Sequence, residues 1–343
     1  MAARALVAGV FGAYYHVLPF AEPVAGETGR RFLGERFKAK PRGKLRIEYG
    51  EKNVGYNKLR ETLLAIGDTV EIETDAHNPD TYVITAVDPR RNEINRASFG
   101  RQQCLAANVD GVLVMSSVRS PEFNLGFVER CLAEVQIAGA DVVLIVNKFD
   151  LLKGVEGKPA DTDAANEKIF AYYEKIGVPV FRESIMGGLS PQLRARLTKG
   201  TWLLLGQSGT GKSTLLNKTL GVDLQSVGEV SLIDKGRHTT TNPALYYGKA
   251  NPELILIDVP GLREFGMHHR DAQAIRLGFP DFMELQCRFE NCLHLREPGC
   301  AVKAALEAGD IPEFRYRCYV SMLDTVGENF KPRKGDYWRG IRK

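Results

Sequence analysis

No apolar run in the 343-residue chain approaches the ~18 residues that a membrane-spanning helix needs, so a helical membrane protein is excluded and no membrane partner is expected. Cysteine is also scarce. Six in so long a chain are too few for a disulfide scaffold, and three of them cluster late beside a histidine, which fits a reducing, cytoplasmic compartment and a metal site. Net charge is small at +4, and there is no internal repeat or long low-complexity stretch, so neither a solenoid nor a disordered chain is the reading. The stretch Ala5 to Ala21 behind Arg4 has some look of a secretion signal, but Gly9, Gly12, Tyr14, Tyr15 and His16 interrupt it. It reads better as two short strands around a turn.

The small net charge hides an uneven distribution. Between Arg30 and Arg60 there are eleven Lys or Arg residues against Glu35, Glu48 and Glu51, and the last thirteen residues hold six against Asp336 alone. Two basic zones suggest a polyanion partner, with solvated loops as the plain alternative.

The first hundred residues carry short β-type runs at Ala5–Val10, Ala13–Leu18, Lys44–Glu48, Thr69–Glu73 and Thr81–Val87, separated by turn clusters. About five strands without a clear helix suggest a small barrel of the oligonucleotide-binding (OB) type, with 30–57 as its long basic loop. From Ala107 the texture changes. Apolar strands at Gly111–Met115, Val142–Val146, Val178–Glu183, Trp202–Leu205 and Leu254–Ile257 alternate with helical patterns such as Phe127–Ala138, whose Val128, Cys131, Leu132 and Val135 share a face. That alternation implies an α/β unit with a covered parallel sheet. A last section from about Gly266 holds the Cys/His cluster, helical material through Leu323 and a basic tail.

Three motifs carry chemistry. The run Gly206, Gln207, Ser208, Gly209, Thr210, Gly211, Lys212, Ser213 matches the phosphate-loop pattern G-x-x-x-x-G-K-S/T, placed between a strand and a helix that opens with Thr214 and two leucines. Its backbone N–H groups would cradle phosphates, Lys212 would bridge the β- and γ-phosphates, and Ser213 would offer a hydroxyl to Mg²⁺. Asn147, Lys148, Phe149 and Asp150 follow a strand end, where ligands bind in parallel sheets. An Asp150 carboxylate there can accept two hydrogen bonds from guanine that adenine does not offer. Asn147 can bond the ring edge or neighbouring loops, and the Lys148 stem can cover the base. Asp258 and Gly261 form a D-x-x-G element, in which Asp258 would hold Mg²⁺ through water and the Gly261 amide would sense the γ-phosphate. Between them, the threonines near Thr240 are candidates to close over Mg²⁺, unless that stretch is only a polar loop. Together these read as a GTP-binding protein that cycles between GTP and GDP.

The order of the motifs is unusual, since Asn147 precedes Gly206. With the runs 106–110, 236–241, 258–266 and 287–302, the chain resembles the circularly permuted ribosome small-subunit-dependent GTPase family. The resemblance implies a multidomain protein: an OB-type, RNA-binding β-barrel over 1–100, a circularly permuted P-loop GTPase domain over 101–268, and a helical zinc-binding domain with the basic tail over 269–343. It also implies GTP hydrolysis stimulated by the small ribosomal subunit, contact with its rRNA, and a role in late maturation of that subunit by a monomeric protein. Ser184 and Ile185 would then cap the base, with isoleucine where the family more often has alanine.

Two features bear on catalysis and folding. After Gly261 many GTPases place a water-orienting glutamine; here Leu262 stands, and an aliphatic side chain polarises nothing. His238 is the nearest candidate by chemistry to position water beside Lys212 and Thr240, although it can also serve simply to bond within its loop. Cys287, Cys292, His294 and Cys300 supply three thiolates and one imidazole within fourteen residues, a closed set for one structural Zn²⁺, with buried free cysteines as the alternative. Two rival readings remain: a nucleotide-regulated rRNA-binding assembly module whose hydrolysis is incidental, and an ATP-using phosphotransferase.

Overall fold

The computed structural model describes residues 3–11, 14–21, 32–43, 64–98, 101–152, 161–221, 243–248, 251–259, 262, 265–267 and 269–326. His238, Thr240 and Gly261, the Lys44–Glu48 run and the basic tail lie outside them.

Five strands close a barrel in the order β1-β2-β3-β5-β4: β1 (Ala3–Phe11), β2 (Tyr14–Pro19), β3 (Phe37–Pro41), β4 (Thr69–Asp75) and β5 (Asn78–Val87). Alternate residues point inward, so Ala5, Val7, Tyr15, Val17, Ala39, Val70, Ile72 and Ile84 form the barrel core. All pairings are antiparallel except β3 with β5. The third strand departs from expectation, because Phe37–Pro41 falls in the stretch read as loop. Its apolar residues do alternate, but with lysines over only five positions and a proline at the end, too short a pattern to register.

An antiparallel hairpin, β6 (Glu93–Ser98) and β7 (Arg101–Ala107), follows. It too went unread, because its sequence is polar and its buried residues include Asn95.

The centre of the molecule is a six-stranded sheet built from β8 (Gly111–Ser117), β9 (Asp141–Asn147), β10 (Val180–Arg182), β11 (Gly200–Gly206), β12 (Ala244–Gly248) and β13 (Asn251–Asp258). Its order is β10-β9-β8-β11-β13-β12, parallel throughout except for the edge strand β12. Strand alternation splits the apolar residues between two cores. Leu113, Met115, Val143, Ile145, Leu204 and Leu256 face one side, covered by α3 (Pro191–Arg196) and α4 (Lys212–Leu220). Val112, Val114, Leu144, Leu205 and Ile257 face the other, beneath α1 (Leu125–Ala138) and α2 (Asp161–Lys175). Helix α1 starts where the Asn124 side chain accepts from the Phe127 N–H and stops at Gly139 in the left-handed region, and its Val128, Cys131, Leu132 and Val135 are buried as their spacing predicts.

The second core runs on into α5 (Ala272–Leu277), α6 (Pro280–Met283), α7 (Ala301–Ala308) and α8 (Glu313–Leu323), through Ile275, Phe279, Phe282, Val302 and Tyr319. No helix among the described residues is long and apolar enough to cross a membrane.

Candidate functional site

The candidate nucleotide site lies at the carboxyl ends of the parallel strands, where hydrogen bonds join the loops after β8, β9, β10 and β11. The β11–α4 loop needs glycine for physical reasons. Gly209 and Gly211 have φ of +80° and +104°, and a Cβ on Gly211 would sit 2.3 Å from Asn147 Nδ2, while one on Gly206 would sit 2.6 Å from the Met115 carbonyl oxygen. Ser208 and Gly209 are exposed and Thr210 and Lys212 buried. The Lys212 ammonium donates to the carbonyls of Gly206 (2.7 Å) and Gln207 (3.0 Å), and burial lowers its pKa against the pull of Asp258. Ser213 is exposed at the first turn of α4, with Thr214 half-buried next to it, so the amino end of α4 and its hydroxyl open to the same solvent-facing loop.

Asn147 is the joint of the site. Its Nδ2 donates to the Thr210 carbonyl at 2.9 Å, and its Oδ1 accepts from the Ile185 N–H at 3.0 Å, all within a side chain that is 4% exposed. Of the two roles the sequence allows this amide, base-edge contact and contact with neighbouring loops, the loop contact is the one seen, tying the phosphate loop to the β10 loop. Lys148 has φ +64° and its ammonium donates to the Ser120 carbonyl. The exposed Asp150 is positioned through its backbone N–H, which donates to Ser184 Oγ at 2.9 Å.

Several supporting residues escaped sequence reading. Glu183, 4% exposed, accepts from Ser190 N at 3.1 Å and from Ser190 Oγ, pinning the loop that carries Ser184 and Ile185. Its carboxylate directly follows β10, and that is the only local signal the sequence offers for it. Ser117 Oγ donates to the Pro121 carbonyl at 2.7 Å, which shapes the turn presenting Ser120 to Lys148. No local pattern announces that contact.

Asp258 ends β13 next to β11. Burial raises its carboxyl pKa, Lys212 opposes the rise, and its Oδ1 is buried without a hydrogen-bond partner among the described residues. An unpartnered carboxylate oxygen facing a phosphate loop fits a hydrated divalent cation. Leu262 is fully buried in the apolar core, so the residue at the usual glutamine position faces away from water altogether.

The Cys/His cluster forms a second site. The ligand atoms of Cys287, Cys292, His294 and Cys300 all lie within 4.8 Å of one another. His294 Nδ1 is 3.5 Å from both Cys287 Sγ and Cys300 Sγ, and those sulfurs are 3.9 Å apart. A tetrahedral zinc with ordinary bond lengths has sulfur–sulfur edges of about 3.8 Å and sulfur–nitrogen edges of about 3.5 Å. The group is therefore consistent with a closed zinc site. Burial lowers the His294 pKa to about 4, which keeps the imidazole neutral as a ligand must be. Tyr316 and Tyr319 donate to the His294 and Leu293 carbonyls at 2.7 and 2.9 Å. Glu297 accepts from the N–H groups of Leu293, Leu295 and Arg296. All six cysteines are free of disulfides, and Cys131 is a core residue as expected.

Residues 87–268 match the RsgA GTPase family model. The chain is 40% identical over 265 residues to the small ribosomal subunit biogenesis GTPase RsgA of Bordetella pertussis, covering 76% of this chain and 84% of that one. It is 36% identical over 284 residues to the Haemophilus influenzae protein of the same name, covering 80% of each. Among solved structures, YjeQ from Thermotoga maritima aligns with a TM-score of 0.65 and 26% identity over 94% of this chain and 98% of that one. YloQ, described as a circularly permuted GTPase, aligns at 0.63 and 23% over 97% and 98%, a likeness of fold.

Proposed function

The chain belongs to the RsgA GTPase family, and from that premise we propose that it hydrolyses GTP to GDP and phosphate in late maturation of the small ribosomal subunit, with that subunit as its activator. The observation that carries the reading is the pair of Asn147 hydrogen bonds to Thr210 and Ile185. They join the guanine-reading element to the phosphate loop although the chain meets these elements in permuted order. A guanine held by Asp150 and capped by the loop of Ser184 and Ile185 would be in fixed register with phosphates held by Gly206 to Thr214.

In this reading Ser213, Asp258 and Thr240 would hold Mg²⁺, which would supply charge neutralisation for the transferred phosphoryl group. Lys212 would leave its carbonyl partners for the β- and γ-phosphates, and Gly261 would report the γ-phosphate. With Leu262 in the core, His238 is assigned to position the attacking water. An incomplete set of water-orienting groups accounts for dependence on a partner. We assign residues 1–100 and the basic tail to rRNA contact, 101–268 to the GTPase domain and 269–343 to the zinc domain, for a monomer acting in the cytoplasm.

The test is multiple-turnover GTP hydrolysis with and without purified small subunits at several salt concentrations. Stimulation that fades with salt is expected, because phosphate contacts release counterions. His238→Ala should keep GTP affinity and lose most stimulated turnover, and Asp150→Asn should move preference toward xanthine nucleotide. Turnover that ignores the subunits would leave a nucleotide-regulated RNA-binding module, and ATP preferred over GTP would overturn the guanine assignment.

A further inference from the structure

Strand β12 is the weak member of the central sheet. It is five residues long and lies at an edge, so within the sheet only β13 gives it backbone partners, and the end rung of so short a ladder opens most readily. That end rung carries the site. Ala244 stands opposite Asp258, and Leu245 opposite Ile257. On its other side Asp258 lies opposite Leu204 of β11. The carboxylate whose Oδ1 is buried without a partner is thus set by two ladders, one secure and one short.

An edge strand also leaves backbone groups outside any ladder. One of them is met by the barrel: the Arg36 guanidinium, from the segment entering β3, donates to the Leu245 carbonyl. Around this contact Leu245 shares a core with Leu6 and Leu18 of the barrel. The Phe32 ring lies 5.6 Å from the Phe20 ring and 4.8 Å from the Tyr247 ring. Arg36 is half-buried, burial lowers its pKa against the pull of Tyr246 and Tyr247, and no carboxylate among the described residues pairs with it.

Keeping a cation from water for the sake of one carbonyl is costly, and the apolar contacts beside it would seat the barrel without it. What the guanidinium adds is a grip on the β12 backbone one residue from the Asp258 rung. Of the nearby charges it is Lys212 that opposes the burial-driven rise of the Asp258 carboxyl, so the influence of Arg36 passes through the ladder rather than through its field. We propose that Arg36 is a positioning residue of the GTPase site, bracing the Leu245 carbonyl so that the Ala244–Asp258 rung stays closed and the Asp258 carboxylate is ordered in advance for a divalent cation. Ordering completed on folding is not subtracted from binding. The inference rests on Asp258 as a Mg²⁺ holder, proposed above, and makes the barrel part of that site's support.

The test is fluorescent-GDP binding by the full-length protein, first in excess EDTA and then against rising Mg²⁺, with the Mg²⁺ midpoint as the readout. Arg36→Met keeps the apolar stem and removes the donors. It should raise the midpoint about fivefold to tenfold, the lower part of the range for coupling between separate groups, and leave affinity in EDTA unchanged. Arg36→Lys, which keeps one donor group on a different stem, should fall between. Tyr247→Leu loosens the seat of the barrel at Phe32 without removing the Leu245 contact, so it should lower the melting temperature and leave the midpoint in place. An unmoved midpoint in Arg36→Met, a loss of affinity already present in EDTA, or an equal shift in Tyr247→Leu would overturn the brace. Asp258→Asn should raise the midpoint further than Arg36→Met does. A native midpoint in that variant would remove the metal assignment and the brace with it, whereas a raised midpoint there beside an unmoved one in Arg36→Met would remove the brace alone.

Discussion

At the scale of single residues, the site depends on one amide. Asn147 both donates and accepts across the joint between two nucleotide loops, and its primary amide does so without a charge. Asn147→Ala would leave the Ile185 N–H and the Thr210 carbonyl without these partners, and each unsatisfied buried group costs about 1–3 kcal/mol. The expected result is a loss of GDP affinity of about tenfold to several hundredfold in a fluorescent-nucleotide titration. Asn147→Asp should be nearly as damaging, because a carboxylate cannot donate to Thr210. Gly211→Ala should also abolish nucleotide binding, since its Cβ would sit 2.3 Å from Asn147 Nδ2 at a φ of +104°. Wild-type affinity in either Asn147 variant would mean that the joint is held elsewhere.

Among elements, α1 is the hub, and the helices from α5 onward are fixed to it by charge as well as by apolar contact. Arg315 of α8, 2% exposed, pairs with Glu129 of α1 at 2.5 Å and with Asp281 of α6 at 2.7 Å. The guanidinium lies 4.2 Å from the Phe279 ring centroid, and Tyr173 of α2 donates to Glu129 at 2.9 Å. Removing one member strands buried charge, so Arg315→Met should destabilise by about 3–5 kcal/mol, read as a lowered urea midpoint. The double variant Glu129→Leu with Arg315→Met should regain much of that loss, because it strands less charge. Nothing in local sequence foretold this network, whose members lie 186 and 34 residues from Arg315. What could be read were elements with strong period: α1, the apolar strands β8, β9, β11 and β13, and the phosphate, guanine and zinc motifs, whose chemistry is written in contiguous residues. Strands β3, β6, β7 and β12 were missed because each is short, polar or both, and pairing partners rather than their own composition make them strands. The same reasoning covers Glu183 and Ser117, whose roles exist only once the loops have met.

For the whole molecule, the question is how the segment after Asp258 is felt elsewhere. That segment is gripped from two sides. Arg130 of α1 donates to the Phe265 carbonyl at 2.7 Å, and the Ala97 N–H of β6 donates to the Gly266 carbonyl at 2.9 Å. A little further on, Arg270 pairs with buried Glu134 of α1, which also accepts from the Asn95 N–H of β6. Movement of the D-x-x-G element on loss of the γ-phosphate would thus pull on α1 and on the β6–β7 hairpin together. On α1 the same pull meets Glu129, hence Arg315 and α8, and α8 carries the tyrosines that hold the His294 loop. Zinc, by closing that loop, would stiffen the far end of the path. Cys300→Ser, or zinc removal by a chelator, should therefore leave GDP affinity near that of the native protein, because among the described residues the four ligands bond one another and their own loop rather than the nucleotide loops. Small-subunit-stimulated turnover should fall by about tenfold, within the ~1–3 kcal/mol typical of coupling between sites. Stopped-flow GDP binding and stimulated hydrolysis on the same preparation separate the two quantities. If a folded, zinc-free variant retained full stimulation, the metal would act only on local folding, and the coupling would have to run through the β6–β7 hairpin instead.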